Sequence, residues 1–385
     1  MYFVSILKKI IYEAIHLYES LFYKIFYVLS IKILQIYNYD HFYTSFDIKE
    51  LKENVLTKEQ KLEIDSFYEK NYGKKIPYIW HNLFTKYSGN FDVKYMPVDL
   101  FLKIVYAING KTSGYSEILT DKNFLYKIAN SVGVKIPKKH FYSVNNILFD
   151  SANNIISEEE FYKRMADIGE VFIKPTRIND TGYAQNCKII NVVNGIDTYS
   201  QESIKDIIAE SYNKDFIVQE KIICHKSISD IYSQSCNTFG LITLIINNKV
   251  KVLMPMLKIG MNANKIDFAG FDKKGLLISV KNDGTLSDYA FCLNDRKKYL
   301  SHPDTGLIFK DYKIDLFPKI LEAATKIQSS IPWMPFCGMD FVINEQGDVL
   351  VLEIEAPACV LNQILYGKSF FGEDTEKVLS LIKKH

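Results

Sequence analysis

Arginine is nearly absent. Among 47 basic side chains only Arg164, Arg177 and Arg296 carry a guanidinium, and the rest are lysines. Bidentate guanidinium forks are therefore scarce, and a bound phosphate must be held mainly by ammonium groups and backbone N–H donors. Neither charge is in excess, because 47 basic against 45 acidic residues leave a net charge of +2. Nucleic-acid binders present a strongly basic face, so no nucleic-acid partner is expected. The six cysteines (Cys187, Cys224, Cys236, Cys292, Cys337 and Cys359) are far apart and form no C-x-x-C pair. That excludes a disulfide framework and a zinc pattern, and it suits a reducing cytosol. G-x-S-x-G and H-E-x-x-H are both missing, which leaves the common serine-hydrolase and zincin readings without support. No uncharged run approaches the roughly 20 residues of a spanning helix.

What is present is a globular chain. At roughly 150 residues per domain, 385 residues give two or three lobes. A hydrophobic fraction of 48% with 26 Tyr and 25 Phe excludes wholesale disorder. In residues 1–40, Val4, Leu7, Ile11, Ile15, Phe22, Ile25 and Leu29 recur at about helical spacing. They read as amphipathic helices packed on the domain behind or on a second subunit; the alternative is a helix lying in a membrane surface. The expected location is the cytoplasm, or the inner face of the membrane.

Further helices are expected over Ile48–Asn71, from Asp121 to Val132, after the Ser157/Glu160 box, over Gln201–Tyr212 and over Ile314–Ser329. Strands are expected at Val171–Lys174, Lys188–Val193 and Phe216–Gln219. A hairpin folds around Asn247-Asn248-Lys249, a strand runs Leu276–Val280, and Met339–Ile343 pairs with Val349–Ile354. This order is α+β and lacks the regular alternation of a doubly wound sheet.

The last pair of strands carries the most information. Asp340 sits on one, and Glu353 and Glu355, two residues apart, share a face of the other. Buried strands do not hold unpaired carboxylates without compensation, and a hard divalent cation supplies it; Mg²⁺ favours carboxylates together with phosphates. A second constellation is Lys174, which ends an apolar strand and opens a polar loop containing Gly182; it can reach a nucleotide's phosphates. A third is Gln219-Glu220-Lys221-Ile222, a strand end whose backbone could pair with an adenine edge.

Together and in this order these segments resemble the ATP-grasp superfamily, in which two α+β lobes grip ATP. The D-x(12)-E-x-[N/E] spacing from Asp340 to Glu355 matches that superfamily's metal-binding strands, although Glu355 stands where Asn is usual. The phosphate loop departs too, having Gly182 as its lone glycine where several are common. A narrower resemblance, to the sugar-transfer-associated branch, rests on further motifs over about residues 75–370. These are Phe91-Asp92-x-x-Tyr95-Met96-Pro97, Leu119-Thr120-Asp121-Lys122-Asn123, Ser235-Cys236-Asn237-Thr238, Lys258-Ile259-Gly260 and Ser301-His302-Pro303-Asp304-Thr305-Gly306. Gly240 and Lys258 occupy places where that branch often has arginine.

The resemblance implies an ATP-grasp fold with an N-terminal helical extension. Its divisions are a helical region 1–74, a pre-grasp segment 75–156, a small lobe 157–220 and a large lobe 221–385. It implies ATP and Mg²⁺ as cofactors: Lys122, Lys174 and Gly182 at the phosphates, Gln219 to Ile222 at adenine, and Asp340, Glu353 and Glu355 at the metal. Lys258 is the catalytic candidate, offsetting charge in the transition state. Asn237, Thr238, His225 and His302 are candidate substrate contacts, although each lone histidine reads first as a structural hydrogen-bonder. The implied reaction joins a carboxylate to an amine through an acyl phosphate, on a sugar or sugar acid of cell-surface polysaccharide. The alternatives are phosphotransfer to a sugar hydroxyl and a non-catalytic scaffold. The N-terminal helices would serve peripheral membrane association or self-association.

Overall fold

Local signals start and stop the helices. Thr57 and Gln60 form a reciprocal capping box that opens α1 (Lys58–Tyr72), and Gly73, at φ 93°, closes it. α2 (Ile79–Ser88) and α3 (Val98–Asn109) follow. The Asp121 carboxylate caps α4 (Lys122–Ser131), accepting from Asn123 N at 2.9 Å. Next in chain order come α5 (Glu158–Met165), α6 (Ile204–Ser211), α7 (Lys226–Ser229), α8 (Phe317–Ser330), α9 (Asn362–Tyr366) and α10 (Thr375–Ser380). The computed structural model describes residues 50, 53–110, 118–176, 187–211, 215–267, 275–357 and 360–383. The helices expected within 1–40 and the loop containing Gly182 lie outside the described residues. Among the described residues no helix is long and apolar enough to cross a membrane.

Seven strands build the first sheet: β1 (Lys139–Val144), β2 (Ile147–Asp150), β3 (Ile155–Ile156), β4 (Gly169–Pro175), β5 (Lys188–Val193), β6 (Ile196–Asp197) and β7 (Phe216–Glu220). Their spatial order is β3-β2-β1-β7-β4-β5-β6, and the pairing is antiparallel throughout. Val171, Ile173, Ile190, Phe216 and Val218 pack with Phe161 and Met165 of α5 and Ile204 and Ile207 of α6. Strand alternation then sends Phe172 and Lys174 to the other face. β1 to β3, which precede residue 157, belong to this same sheet; β1 finds its partner β7 about 75 residues later, a pairing that no local pattern announces.

The second sheet comprises β8 (Thr238–Ile246), β9 (Lys249–Gly260), β10 (Gly275–Ser279), β11 (Ala290–Cys292), β12 (Lys297–Tyr299), β13 (Phe336–Ile343) and β14 (Val349–Glu355). Their order is β12-β11-β10-β9-β8-β13-β14. Asn247 and Asn248, at φ 54° and 58°, form the tight turn between β8 and β9. α4 and α8 pack one face of this sheet through Leu125, Ile128, Ile320 and Ile327 against Met339, Phe341, Val351 and Ile354. α1 to α3 cover part of the other face, where Phe101 meets Leu244 and Phe336. The chain after α4 is stitched to the sheet edge, since Val351 N donates to Lys135 O at 3.0 Å. The two sheets with their helices are the two α+β lobes of an ATP-grasp fold.

Candidate active site

The acids line up as their strands require. Asp340 lies opposite Glu353, and Gly338 opposite Glu355, in the β13–β14 register. Cys337, Met339 and Phe341 enter the core under α8, so alternation places Gly338 and Asp340 on the opposite face. Two glycines keep that face open. A Cβ at Gly240 would sit 3.4 Å from Asp340 Oδ1, and one at Gly338 3.4 Å from Glu355 Cγ. Gly240, where the related branch often carries arginine, thus leaves room across which Lys258 of β9 reaches Asp340, with Nζ 2.5 Å from Oδ2.

Lysines converge on this face from three elements. Lys122, at the start of α4, donates to Glu353 Oε1 at 3.1 Å. Its backbone N donates to Thr176 O at 2.9 Å, tying α4 to the end of β4. Lys174 is only 7% exposed. Its ammonium lies 5.5 Å from the Phe172 ring centroid and makes no hydrogen bond or ion pair with a described residue. Burial, then the nearby Lys122 charge, lowers it to about 8. Burial works against the Lys258 ammonium, but Asp340 and Asp267 outweigh it, and its pKa is raised. Glu353 is lowered because Lys122 and Lys174 overcome its burial. Glu355 has no ion pair among the described residues; burial, then Glu353 and Asp340, pushes it up to about 8.

Three of the sequence motifs meet in a single knot beside Lys258. Asn237 Oδ1 accepts from Gly260 N at 3.1 Å and from Ser235 Oγ at 2.5 Å, and its Nδ2 donates to Tyr232 O at 2.7 Å. His302 donates from Nε2 to Gly260 O at 2.9 Å, accepts at Nδ1 from Asp304 N, and stacks on Tyr232 at 4.9 Å. Asn237 and His302 are wholly buried. These two candidate substrate contacts are therefore spent on fixing the end of β9. His225 caps α7, accepting at Nδ1 from Ser227 N at 3.2 Å, and is likewise used by the fold. Thr238 does reach the site, as the cross-strand partner of Lys258.

The strand end proposed for adenine divides in two. Gln219 is paired on both sides, with Lys139 of β1 and Phe172 of β4, and its Nε2 donates to Tyr126 OH at 2.7 Å. Glu220 exchanges two hydrogen bonds with Lys138. Lys221 and Ile222 are the first residues beyond the ladder, with the Lys221 ammonium on Glu170 at 2.8 Å. The backbone available to a ligand is thus that of Lys221 and Ile222. A residue the motifs did not single out is Asp267, whose Oδ2 accepts from Thr238 N at 2.9 Å and from the Thr238 hydroxyl. Burial raises it to about 6. The available signal was an acid set between Ile266 and Phe268.

The metal expectation meets a difference. Among the described residues no three His, Cys, Asp or Glu side chains form a ready cage, because Asp340 and Glu353 each turn an oxygen to a lysine. The donor chemistry nevertheless fits Mg²⁺: three hard oxygen donors lie on adjacent positions of paired strands, and Glu355 has excess negative charge around it.

Several solved structures share segments of this fold. The D-Ala:D-Ser ligase VanG of Enterococcus faecalis is 16% identical, with 69% of this chain and 60% of that one covered at a TM-score of 0.38. An L-amino acid ligase from Bacillus licheniformis is 14% identical over 68% of this chain and 48% of its own, TM-score 0.36. Biotin carboxylase from Campylobacter jejuni is 10% identical over 70% and 47%, TM-score 0.40. This chain thus spans less than two thirds of each of those proteins. No curated protein matches it. The family model described as sugar-transfer associated ATP-grasp matches residues 106–378, which include every lysine and carboxylate of the cleft. The chain belongs to the sugar-transfer associated ATP-grasp family.

Proposed function

We propose that this protein is an ATP-dependent carboxylate–amine ligase acting on a sugar or sugar acid destined for cell-surface polysaccharide. The observation that carries the reading is Lys174: a buried ammonium that pairs with no anion among the described residues, beside a second lysine and within reach of the Glu353 charge. A buried cation is expensive unless a partner arrives, and a polyphosphate is such a partner.

Lys174 and Lys122 take the phosphates, and the backbone at Lys221 and Ile222 meets the adenine edge. Asp340, Glu353 and Glu355 would hold Mg²⁺, which when bound neutralises phosphate charge. A substrate carboxylate oxygen attacks the γ-phosphorus, and the bond to ADP breaks. Lys258 offsets the charge developing there. An amine nitrogen then attacks the acyl carbon, phosphate leaves with the bonding electrons, and the amine loses its proton. No protein nucleophile is needed, in keeping with the missing Ser–His and Cys–His signatures.

The test is mass spectrometry of products from ATP, Mg²⁺, uronic-acid-bearing sugars and a panel of amino acids and amino sugars. A new amide with equal ADP and phosphate supports the ligase. A phosphorylated sugar replaces it with phosphotransfer, and failure to bind Mg·ATP at all replaces it with a scaffold.

A further inference from the structure

Lys258 has two acidic neighbours, and the strand order β9-β8-β13 places both on the β8 side of its own strand, at different levels along it. Toward β13, its Nζ bonds Asp340 Oδ2 at 2.5 Å across Gly240. Toward β8, its cross-strand partner is Thr238, whose backbone N and hydroxyl both hold Asp267 Oδ2. Side chains of directly opposed residues in a ladder lie about 5 Å apart at Cβ, so an acid seated on Thr238 stands beside Lys258. The second oxygen, Oδ1, bonds to no described residue.

We infer that Asp267 is a positioning residue: anchored by Thr238, it is the second counter-ion of Lys258 and keeps the ammonium over the cleft when Asp340 turns away. The physical need is plain. The Lys258 side chain is 22% exposed, and a largely buried ammonium stripped of its ion-pair partner is strongly destabilised. On the ligase reading, on which this inference rests only for the event that draws Asp340 off, a divalent cation competes for Asp340. Without Asp267 the lysine would then withdraw from the cleft. Thr238 prevents the equivalent loss at Asp267, because two donors from one residue fix the carboxylate while leaving Oδ1 to the lysine. The Asn237 knot completes the device by fixing β9 two residues beyond Lys258. The Ser-Cys-Asn-Thr and Lys-Ile-Gly motifs therefore act as one unit around a single ammonium.

The test is pulse acylation of the full-length chain with acetic anhydride, read at Lys258 by peptide mass spectrometry and normalised to exposed Lys205. Without nucleotide, D267N and D340N should each speed labelling modestly, and the double variant should exceed the product of the two, since each acid covers for the other. With Mg·ADP, D267N should label markedly faster than wild type, because the ammonium no longer has an anion to hold it in the cleft. D267E should restore slow labelling and T238V should fall between. Singles that simply multiply in the double variant, or equal labelling of D267N and wild type with Mg·ADP, would overturn the inference. Should D267N not fold, T238V labelling like wild type in both states overturns it equally. Absence of any thermal shift of wild type by Mg·ADP would instead sink the ligase reading, and the nucleotide-free cycle would still decide the role of Asp267.

Discussion

Replacing Lys174 by Met should make the protein more stable and less able to bind nucleotide. The ammonium is fully buried, and its pKa falls from 10.5 to about 8. The unfolded chain therefore holds the proton more tightly than the native one. At pH 7 both states are protonated, and the native state bears the whole difference, about 3 kcal/mol at 1.36 kcal/mol per unit. As pH rises from 8 toward 10.5 the native lysine releases its proton first and the penalty fades. By pH 9.5 about 2 kcal/mol of it should be gone. Met is close in shape and needs no counter-ion, so Lys174→Met should gain about 2–3 kcal/mol at pH 7 and lose that advantage at high pH. Urea unfolding of both proteins at pH 7 and pH 9.5 measures the difference directly, and tyrosine titrations cancel between them. The Mg·ADP-induced rise in melting temperature, measured in parallel, should shrink in the variant. If Lys174→Met is less stable at pH 7, or the two pH slopes coincide, then Lys174 has an anion in the native state.

Lys122→Met should behave oppositely, because it strands Glu353 rather than relieving a cation. Breaking a buried pair costs about 3–5 kcal/mol, and Glu353 is about a quarter exposed with Lys174 nearby, so a loss of about 2 kcal/mol is expected in urea midpoints. Combining it with Glu353→Gln should recover most of that loss, and additive losses would contradict the pairing. His81 is fully buried, with Nε2 on Val93 O at 3.1 Å, and burial lowers it from 6.5 to about 4. The unfolded chain takes up that proton first, so stability should fall by about 2 kcal/mol from pH 7 to pH 5; His81→Phe should flatten this slope. Gly284→Ala should be severely destabilising, since φ is 90° and the new Cβ would lie 2.1 Å from Ile314 O. A variant melting like wild type would contradict that geometry.

What the sequence made legible was local. Asn247-Asn248 announces its hairpin because a two-residue turn at positive φ needs such residues. Asp121 announces α4 by capping it. The shared face of Glu353 and Glu355 follows from period two alone, and each now raises or feels the other's charge. What stayed hidden was long-range. Lys122 and Glu353 are 231 residues apart, and no pattern in either segment names the other. β2 and β3 are too short to show alternation, so their place in the first sheet does not show in the sequence. Asn237 and His302 stood in motifs that suggested ligand contact, yet backbone groups at Gly260 and Tyr232 claim them. A motif records that residues are needed together; whether a ligand or the fold needs them depends on which buried polar groups lie within reach.

The pairing of charges across the cleft bears on the kind of ligand that would fit it. Lys122 neutralises Glu353, and Lys258 neutralises Asp340. Those four groups satisfy one another without any guest, which is why the face survives in a chain with so few arginines. Among the described residues Lys174 at the end of β4 and Glu355 at the end of β14 form no ion pair. Burial, with Lys122 beside it, makes the lysine lose its proton easily, and burial, with Glu353 and Asp340 beside it, makes the carboxyl keep its proton. They do not neutralise each other by direct contact, so the space at this face suits a ligand that is anionic toward the small lobe and brings a cation toward the large one. A polyphosphate carrying a divalent metal has that polarity, and a neutral sugar alone does not. On the proposed ligase reading, binding would proceed by exchange. Lys122 would turn from Glu353 to phosphate, Asp340 would turn from Lys258 to hold the metal, and Lys258 would turn to Asp267. Each exchange would trade one buried ion pair for another, so net affinity would come chiefly from Lys174 and Glu355, which form no ion pair among the described residues.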